Sequence, residues 1–417
     1  MKSLLIALLI SGMMIKAEDG PFMEQSPSLE DYLEILVAQN PRIKGLEHQI
    51  EATQEQITAA KSLPDPTANV GLFLSEIETR LGPQRHKLSL KQTLPWKGKL
   101  ALKGDVIQRQ SQQIQAQRSL VIRELCADFK QNWASLYYLG KQIEKNEEHI
   151  DILRTFERVL TTKYENGRAA YAHLIRVQLE ADRLVDRLAE LKNRRQPIEA
   201  KLHSILGVKA HGASEERIPI PFPSGLTPSF MEIDQIKAVK NPLLNQIGFK
   251  TEEHKVNLEL EKKRSLPDIQ VGLDWVGIGH TDMPNIHGSG RDGLAVNLGL
   301  NVPIWSKKYK ALQRSEALKI EASEQHQIDA RLRLEAELQQ ACFEFEDAQR
   351  KIALYRDQIV PKAEETLSVL LTSFESAQSS YLDVLDAERA LLEFSLALDK
   401  AKTDLFRAAA EIQRITD

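Results

Sequence analysis

The tetrapeptide Ser62-Leu63-Pro64-Asp65 in the first half of the chain recurs as Ser265-Leu266-Pro267-Asp268 in the second half. Each copy ends a helical stretch that opens with an Asn-Pro pair, at Asn40-Pro41 and again at Asn241-Pro242. Further matches follow in the same order: Pro95-Trp96 with Pro303-Ile304-Trp305, and Tyr164, Tyr171 and Leu174 with Phe374, Tyr381 and Val384. Because self-similarity at a long period marks internal duplication, we interpret the chain as two copies of one structural unit.

Four short segments that follow these tetrapeptides alternate between apolar and small or polar residues. They span about residues 67–75, 86–94, 269–278 and 292–302, and in the last of them Leu294, Val296, Leu298, Leu300 and Val302 take every second place. This period of two predicts strands with one apolar face. Runs of about nine to eleven residues suit tilted strands that cross a bilayer. A half-buried strand of a soluble sheet is the alternative for any single run, and four runs together favour the membrane.

Long segments without proline carry an apolar residue at every seventh place, which predicts helices that supercoil against neighbours. The three seams are Leu100, Ile107, Ile114, Val121 and, after a slip of one residue, Leu136, Ile143 and Ile150; Val177, Leu184, Leu191, Ile198 and Ile205; and Val384, Leu391, Leu398, Leu405 and Ile412. The first helix would be on the order of 100 Å long. A coiled-coil rod would have the same seams, so the helices alone do not decide function.

The composition also favours long helices over a thick core, since 42% of the 417 residues are apolar, 6% are aromatic and 27% are charged. The net charge of −4 offers no basic excess for nucleic acid, so no nucleic-acid partner is expected. Cys126 and Cys342 are the only cysteines, which indicates neither a disulfide framework nor a cysteine metal site.

Residues 1–17 have the three regions of a secretory signal peptide: Lys2, an apolar run from Leu4 to Ile15, and a cleavage site after Ala17. The run is too short to span a bilayer as a helix, and no later stretch approaches eighteen consecutive apolar residues. Membrane insertion would therefore depend on the strands.

Four strands cannot close a transmembrane barrel, because the smallest known form has about eight. An open sheet edge is not viable in lipid, so the barrel must be shared between subunits. A dimer would give a barrel of eight strands and a trimer a barrel of twelve, and both are possible. Small residues facing a watery lumen favour twelve. We predict a mainly α fold with a small β part: a long helical coiled-coil barrel plus four strands per subunit of a shared β-barrel. The predicted divisions are a first repeat at 18–206, a linker at 207–229 and a second repeat at 230–417.

These features resemble the TolC-like outer membrane factors of Gram-negative efflux and secretion systems. The segment Tyr381-Leu382-Asp383-Val384-Leu385-Asp386-Ala387 is similar to the family's periplasmic-tip motif, and Gln92 to Leu100 is similar to the strand-to-helix junction of the heavy-metal cation branch. The resemblance implies a homotrimer in the outer membrane with a long periplasmic extension. It also implies docking to a periplasmic adaptor (membrane fusion) protein and an inner-membrane efflux pump. The chain would then be the exit duct for metal cations, drugs or other small molecules.

Asp383 and Asp386 are three residues apart and share one face of the last helix. In a trimer they would place six carboxylates around one axis, and the resemblance implies that these carboxylates form the pore constriction. Aligning the repeats sets His173 opposite Asp383 and Arg176 opposite Asp386, so we hypothesise that ion pairs between the repeats close the tip. The alternative is that the aspartates only stabilise a helix N-terminus, with Ser380 and Asp383 spaced as a capping box.

Gly167 is predicted to stop the first long helix at the tip, because glycine readily takes the left-handed conformation of a helix end. The resemblance implies that this turn contacts the adaptor, through Asn166, Gly167 and Tyr171. Where relatives often have a glycine and an arginine before the acidic run, this chain has Ala377 and Ser379. An arginine-based latch is therefore not expected at that position.

No motif for catalysis, a cofactor or a metal site is found in the sequence, so no enzyme activity is expected. His280, Asp282 and His287 lie in one predicted outer loop, which we interpret as a polar loop in preference to a metal site. The alternative function is that of a secreted coiled-coil protein without a pore, such as a periplasmic adaptor. Two helical hairpins and bilayer-length strands favour the channel, since an adaptor would have one hairpin and β-rich soluble domains.

Overall fold

A computed structural model describes residues 27–208, 220–226, 240–283, 287–376 and 378–416. The predicted signal peptide lies outside the described residues, as do most of the predicted linker and Ala377. The predicted division into two repeats and a linker remains a prediction.

The described chain consists of long helices and one four-stranded sheet, as the sequence predicts. The elements are α1 (Leu29–Gln39), α2 (Pro41–Lys61), β1 (Thr67–Thr79), β2 (Gly82–Leu94), α3 (Lys99–Glu165), α4 (Tyr171–Leu206), α5 (Pro242–Arg264), β3 (Asp268–Ile278), β4 (Gly293–Asn301), α6 (Ser306–Leu354), a π-helix (Tyr355–Ile359), α7 (Val360–Glu375) and α8 (Tyr381–Thr416). No helix within the described ranges is long and apolar enough to cross a membrane.

The sheet is antiparallel with the order β1-β2-β3-β4, so its central pair joins the two halves of the chain. Val70 lies opposite Leu88, Leu88 opposite Trp275, and Trp275 opposite Leu294. Residues that pair across strands share a face, so the alternating apolar positions form one continuous apolar face. That face is exposed in the single chain, with Leu74 99% accessible.

The first hairpin extends further than the alternation predicts, because β1 continues to Thr79 and β2 begins at Gly82. The pairing shifts register between Leu72 and Ile77, which breaks the period of two. Much of the stretch between the first two predicted strands, residues 76–85, is therefore strand. Gly82 closes the turn with φ of 128°, a conformation that side chains rarely adopt.

Helix α3 has 67 residues and a length of about 100 Å, as the seven-residue spacing predicts. The seams are buried where helices pack, for example at Leu136, Val177 and Ile412, each 0% exposed. An aromatic cluster lies midway along α3. There the Tyr32 ring of α1 packs on Phe129, with ring centroids 5.9 Å apart, and on Trp133, with ring centroids 5.3 Å apart.

The recurring Asn-Pro pair is a joint between helices. Asn40 accepts a hydrogen bond from the Arg42 backbone N–H (2.8 Å) and donates one to the Ile205 carbonyl near the end of α4 (2.7 Å). Asn241 makes the equivalent contacts, accepting from Leu243 N (3.0 Å) and donating to Ile415 O near the end of α8 (3.2 Å). Each buried asparagine thus bonds a free backbone N–H at the start of one helix and a backbone carbonyl near the end of another. These groups need partners, because the two ends of a helix leave backbone groups without an intrahelical hydrogen bond.

Candidate functional site

The predicted site lies at the end of the helical body opposite the sheet, where two helical hairpins turn. Helix α3 ends at Glu165, and Gly167 follows with φ of 67°, which confirms the predicted glycine stop. Asn166 donates its side-chain amide to the Thr162 carbonyl (2.7 Å), and Gly167 donates its N–H to the Tyr164 carbonyl (2.8 Å). These bonds satisfy carbonyls that the helix end leaves free.

Tyr164 and Tyr171 stand on either side of this turn with ring centroids 5.4 Å apart. Both rings are largely exposed, 43% and 56% respectively. The three predicted adaptor-contact residues, Asn166, Gly167 and Tyr171, therefore share one surface, and Tyr164 extends it. Contact with an adaptor remains a prediction.

The second hairpin turn places Asp383 and Asp386 in the first turns of α8. Asp383 accepts a hydrogen bond from the Ser380 backbone N–H (3.2 Å), while Ser380 Oγ accepts from Leu382 N (3.2 Å). Asp383 thus stabilises the helix start, as the alternative interpretation expects. The Asp386 carboxylate is 74% exposed and lies 3.8 Å from the Arg389 guanidinium on its own helix. Both aspartates are exposed and available to groups beyond the subunit.

His173 and Arg176 of the first hairpin contact Tyr381 of the second. The His173 ring stacks on the Tyr381 ring with centroids 3.8 Å apart, and Arg176 Nη1 donates to the Tyr381 hydroxyl (2.9 Å). Tyr381 is 7% exposed, so this contact joins the two hairpins at a buried position. Within the described part of one subunit, the two basic residues are therefore directed to Tyr381. The hypothesised pairs with Asp383 and Asp386 would have to form between subunits.

Sequence reasoning identified Tyr381 as the counterpart of Tyr171 and as the first residue of the tip motif, and missed this role. A signal was present, because Tyr381 precedes the seam residue Val384 by three places and so shares its buried face.

Two further contacts tie α8 to the first hairpin, and neither was predicted. Glu388 Oε1 lies 2.5 Å from His149 Nδ1 of α3, and these residues are 1% and 2% exposed. Arg389 donates to Glu180 of α4 (2.6 Å), which raises the pKa of the Arg389 guanidinium above its ordinary value. Neighbouring residues of α8 thus bind two different helices of the first hairpin. The available signal was Glu388 itself, a charged residue four places after Val384 on the buried face.

Contacts at the turn of the second hairpin use backbone groups. Lys163 of α3 donates to the Phe374 carbonyl and lies 3.9 Å from the centroid of the Phe374 ring. Ser379, at the position where the sequence predicts no arginine-based latch, donates to the Leu370 carbonyl of its own hairpin (2.9 Å). The Ser379 side chain therefore stabilises the turn of the second hairpin.

The junction between sheet and helices carries a second link between the two halves. Lys99, the first residue of α3, lies with its Nζ 2.8 Å from Asp268 of β3 and 2.9 Å from the Leu266 carbonyl. Asp268 also accepts from the Trp96 backbone N–H (2.8 Å). Lys99 is 5% exposed, and Asp268 closes the repeated Ser-Leu-Pro-Asp tetrapeptide. The second tetrapeptide thus supplies the Asp268 carboxylate, which binds Lys99 of the first half.

The loop between β3 and β4 carries His280, Asp282 and His287. Among the described residues, no three histidine, cysteine or acidic side chains come together in a way that could hold a metal ion.

The chain shares its architecture with outer membrane channels of known structure. It is similar to VceC of Vibrio cholerae, with a TM-score of 0.73 and 14% identity, covering 92% of this chain and 94% of that one. It is also similar to CusC, with a TM-score of 0.76 and 13% identity over 97% and 96% of the two chains. A helical body on a four-stranded sheet therefore defines the fold class that the chain shares with these proteins.

The sequence comparisons agree with this class. Residues 236–416 match the family model described as outer membrane efflux protein. The chain is 19% identical over 393 residues to the cobalt-zinc-cadmium resistance protein CzcC of Cupriavidus metallidurans, covering 93% of this chain and 89% of CzcC. These matches confirm the predicted resemblance to the outer membrane efflux proteins.

Proposed function

We propose that this protein is the outer membrane exit duct of a tripartite efflux system. Three copies would form a pore that passively conducts substrates received from an inner-membrane pump and a periplasmic adaptor. The observation that carries the proposal is the exposed apolar face of the sheet, four strands wide and bounded by the unpaired edges of β1 and β4 within one described chain. Such a face is stable in lipid only if the edges pair with neighbouring copies.

The opposite face of the sheet suits an aqueous lumen. Lys87, Ser89 and Asp274 lie on it, and the Lys87 ammonium pairs with the Asp274 carboxylate at 2.5 Å. Charged and hydroxyl groups on this face need water, while the apolar face needs lipid. The sheet thus separates two environments, as the wall of a pore requires.

At the tip, we infer that Asp383 and Asp386 line the constriction, with Arg176 and His173 holding α8 in place through Tyr381. The exposure of both carboxylates supports this inference, since a ring of three subunits would concentrate negative charge and attract cations. The surface formed by Tyr164, Asn166, Gly167 and Tyr171 is the proposed adaptor contact. No catalytic step is proposed for the chain, and the pump would supply the energy for transport.

The cargo is proposed to be metal cations or other small molecules. Similarity to CzcC, which is named for cobalt, zinc and cadmium resistance, supports the first class. Since a duct receives its cargo from the pump, growth of a deletion strain on a metal series and on a drug series would separate the two.

Planar-bilayer recording of the purified protein tests the pore. Discrete cation-selective channels are expected, and replacing Asp383 and Asp386 together by Asn is expected to reduce the preference for cations. The matched control replaces Asp128 and Asp329, which are exposed and distant from the tip, and should leave the preference unchanged. A protein that stays soluble without detergent and forms no channels would refute the proposal.

A further inference from the structure

The end of the sheet nearest the helices carries large exposed apolar side chains beyond the last strand residues. Trp305 is 71% exposed and Ile304 is 68% exposed, and both lie within four residues of the end of β4 at Asn301. Trp96 occupies the equivalent position after β2 and is 37% exposed. Tryptophan prefers the boundary between hydrocarbon and headgroups, because its ring is apolar and its N–H is polar. The apolar face of the sheet therefore ends in a band suited to that boundary.

Lysines follow these aromatic residues at once. Lys97 follows Trp96, and Lys307, Lys308 and Lys310 follow Trp305; all four are exposed. Within the ranges that the structure describes, their ammonium groups form no ion pair, although Lys308 lies 5.8 Å from the centroid of the Tyr309 ring. We call these four lysines, with Trp96, Ile304 and Trp305, the basic collar.

The position of the collar lysines is unfavourable on electrostatic grounds. Lys307 and Lys308 lie in the first turn of α6 and Lys310 directly follows it, where the helix dipole is positive and acidic side chains are favoured. The first turns of α3 and α6 contain no acidic residue. Lys99 at the start of α3 has Asp268 as its partner, whereas the collar lysines have no such partner in the described chain and would be stabilised by anions from outside it.

The other end of the sheet is different in charge. Exposed Glu78, Arg80, Arg85 and Asp292 mix both signs there. A cationic excess is therefore confined to the end where strands pass into helices, next to the exposed tryptophans. Phospholipid headgroups provide a dense layer of phosphate at this depth, and anionic lipids attract juxtamembrane lysines.

We propose that the basic collar binds the headgroups of anionic phospholipids in the leaflet that the strand-to-helix junction crosses. The lysines contact lipid phosphates while Trp96, Trp305 and Ile304 lie among the upper parts of the acyl chains. This inference rests on the proposed function, because it requires the apolar face of the sheet to be in lipid. It assigns to the chain a preference among lipids in addition to a preference for membranes.

The experiment compares the lipids that remain bound to the purified protein. The wild-type protein is reconstituted with phosphatidylethanolamine and phosphatidylglycerol, extracted in mild detergent, and its retained lipids are quantified by mass spectrometry. Phosphatidylglycerol is expected to be enriched about threefold over the bulk mixture. In the triple variant Lys307→Gln, Lys308→Gln and Lys310→Gln, the retained ratio should fall to that of the bulk.

A second triple variant controls for loss of charge elsewhere. It replaces three exposed lysines on α2, α4 and α8 by glutamine: Lys44, Lys201 and Lys400. This variant should retain the wild-type enrichment. Equal enrichment in both triple variants, or a bulk ratio already in the wild type, would overturn the proposal.

Bilayer recordings of the same samples separate this proposal from the proposed function. Channels from all three proteins together with an unchanged lipid ratio would refute the collar and leave the exit duct in place. If none of the proteins inserts, the exit duct itself is wrong and the collar with it.

Discussion

Replacing Glu388 by Ala is expected to loosen the helical tip strongly. The Glu388 carboxylate and the His149 ring are almost completely buried and bind each other at 2.5 Å. Removing one member of a buried polar pair leaves the other without a partner and costs about 3–5 kcal/mol. The neighbouring Arg389 and Glu180 form a matched control, because the Arg389 side chain is 48% exposed. Loss of such a pair costs about 0–1 kcal/mol.

Hydrogen exchange measured by mass spectrometry suits this comparison, since it reports the free energy of local opening in each segment. A loss of 3 kcal/mol corresponds to at least about 100-fold faster exchange of the protected amides, at about tenfold for each 1.4 kcal/mol. The faster exchange should appear in α3 around His149 and in α8 around Glu388. Arg389→Ala is expected to change exchange in the same segments less than about tenfold.

The double replacement of His149 and Glu388 by leucine tests whether the cost comes from the unpaired partner. Replacing both members of a buried pair by apolar residues is often neutral or stabilising. The double variant should therefore exchange more slowly than Glu388→Ala. Equal exchange in Glu388→Ala and Arg389→Ala, or a double variant as labile as the single one, would refute the reasoning.

Three further outcomes are expected. Asn40→Ala and Asn241→Ala should each destabilise the protein by about 1–2 kcal/mol in thermal unfolding, because each loses a helix cap and a bond to a second helix. A loss no larger than that of Asn132→Ala, at a half-buried position within α3, would contradict the joint. Arg176→Ala should raise single-channel conductance by freeing the tip, and unchanged conductance would contradict this role. Burial raises the pKa of Tyr32 from 10.0 to about 12, so the unfolded chain loses this proton first. Stability should therefore be unaffected at neutral pH and fall as the pH rises from about 10 towards 12. The fall should be smaller in Tyr32→Phe, and an equal fall in both proteins would contradict the assignment.

The features that follow from periodicity could be predicted from the sequence. A seven-residue spacing identifies the buried side of a helix without knowledge of its partner, and Val177 and Ile412 are buried accordingly. Alternation identifies the two faces of a strand, and the register Val70–Leu88–Trp275–Leu294 aligns those faces across the sheet. The extension of the first hairpin was not predictable in this way, because a shift in register interrupts the alternation.

The contacts between the two tip hairpins could not be derived from periodicity. His149 and Glu388 are 239 residues apart, and their meeting depends on how α3 and α8 pack. The alignment of the repeats set Arg176 opposite Asp386, yet within one subunit Arg176 reaches the Tyr381 hydroxyl. An alignment gives equivalent positions in two copies, whereas a contact depends on the rotation of each helix about its own axis. Arg176 therefore lies beside the second hairpin, where the alignment set it, but contacts Tyr381 and not Asp386 within one subunit.

The π-helix at Tyr355–Ile359 has a consequence for the dimensions of the molecule. One residue added to an α-helix rotates everything beyond it by about 100° and lengthens it by about 1.5 Å. A π turn takes up an extra residue inside a helix, and here it joins α6 to α7 without a break in the helical run from Ser306 to Glu375. In a duct that has to bridge a gap of given width, this segment is where the wall can change in length while its inner surface stays aligned.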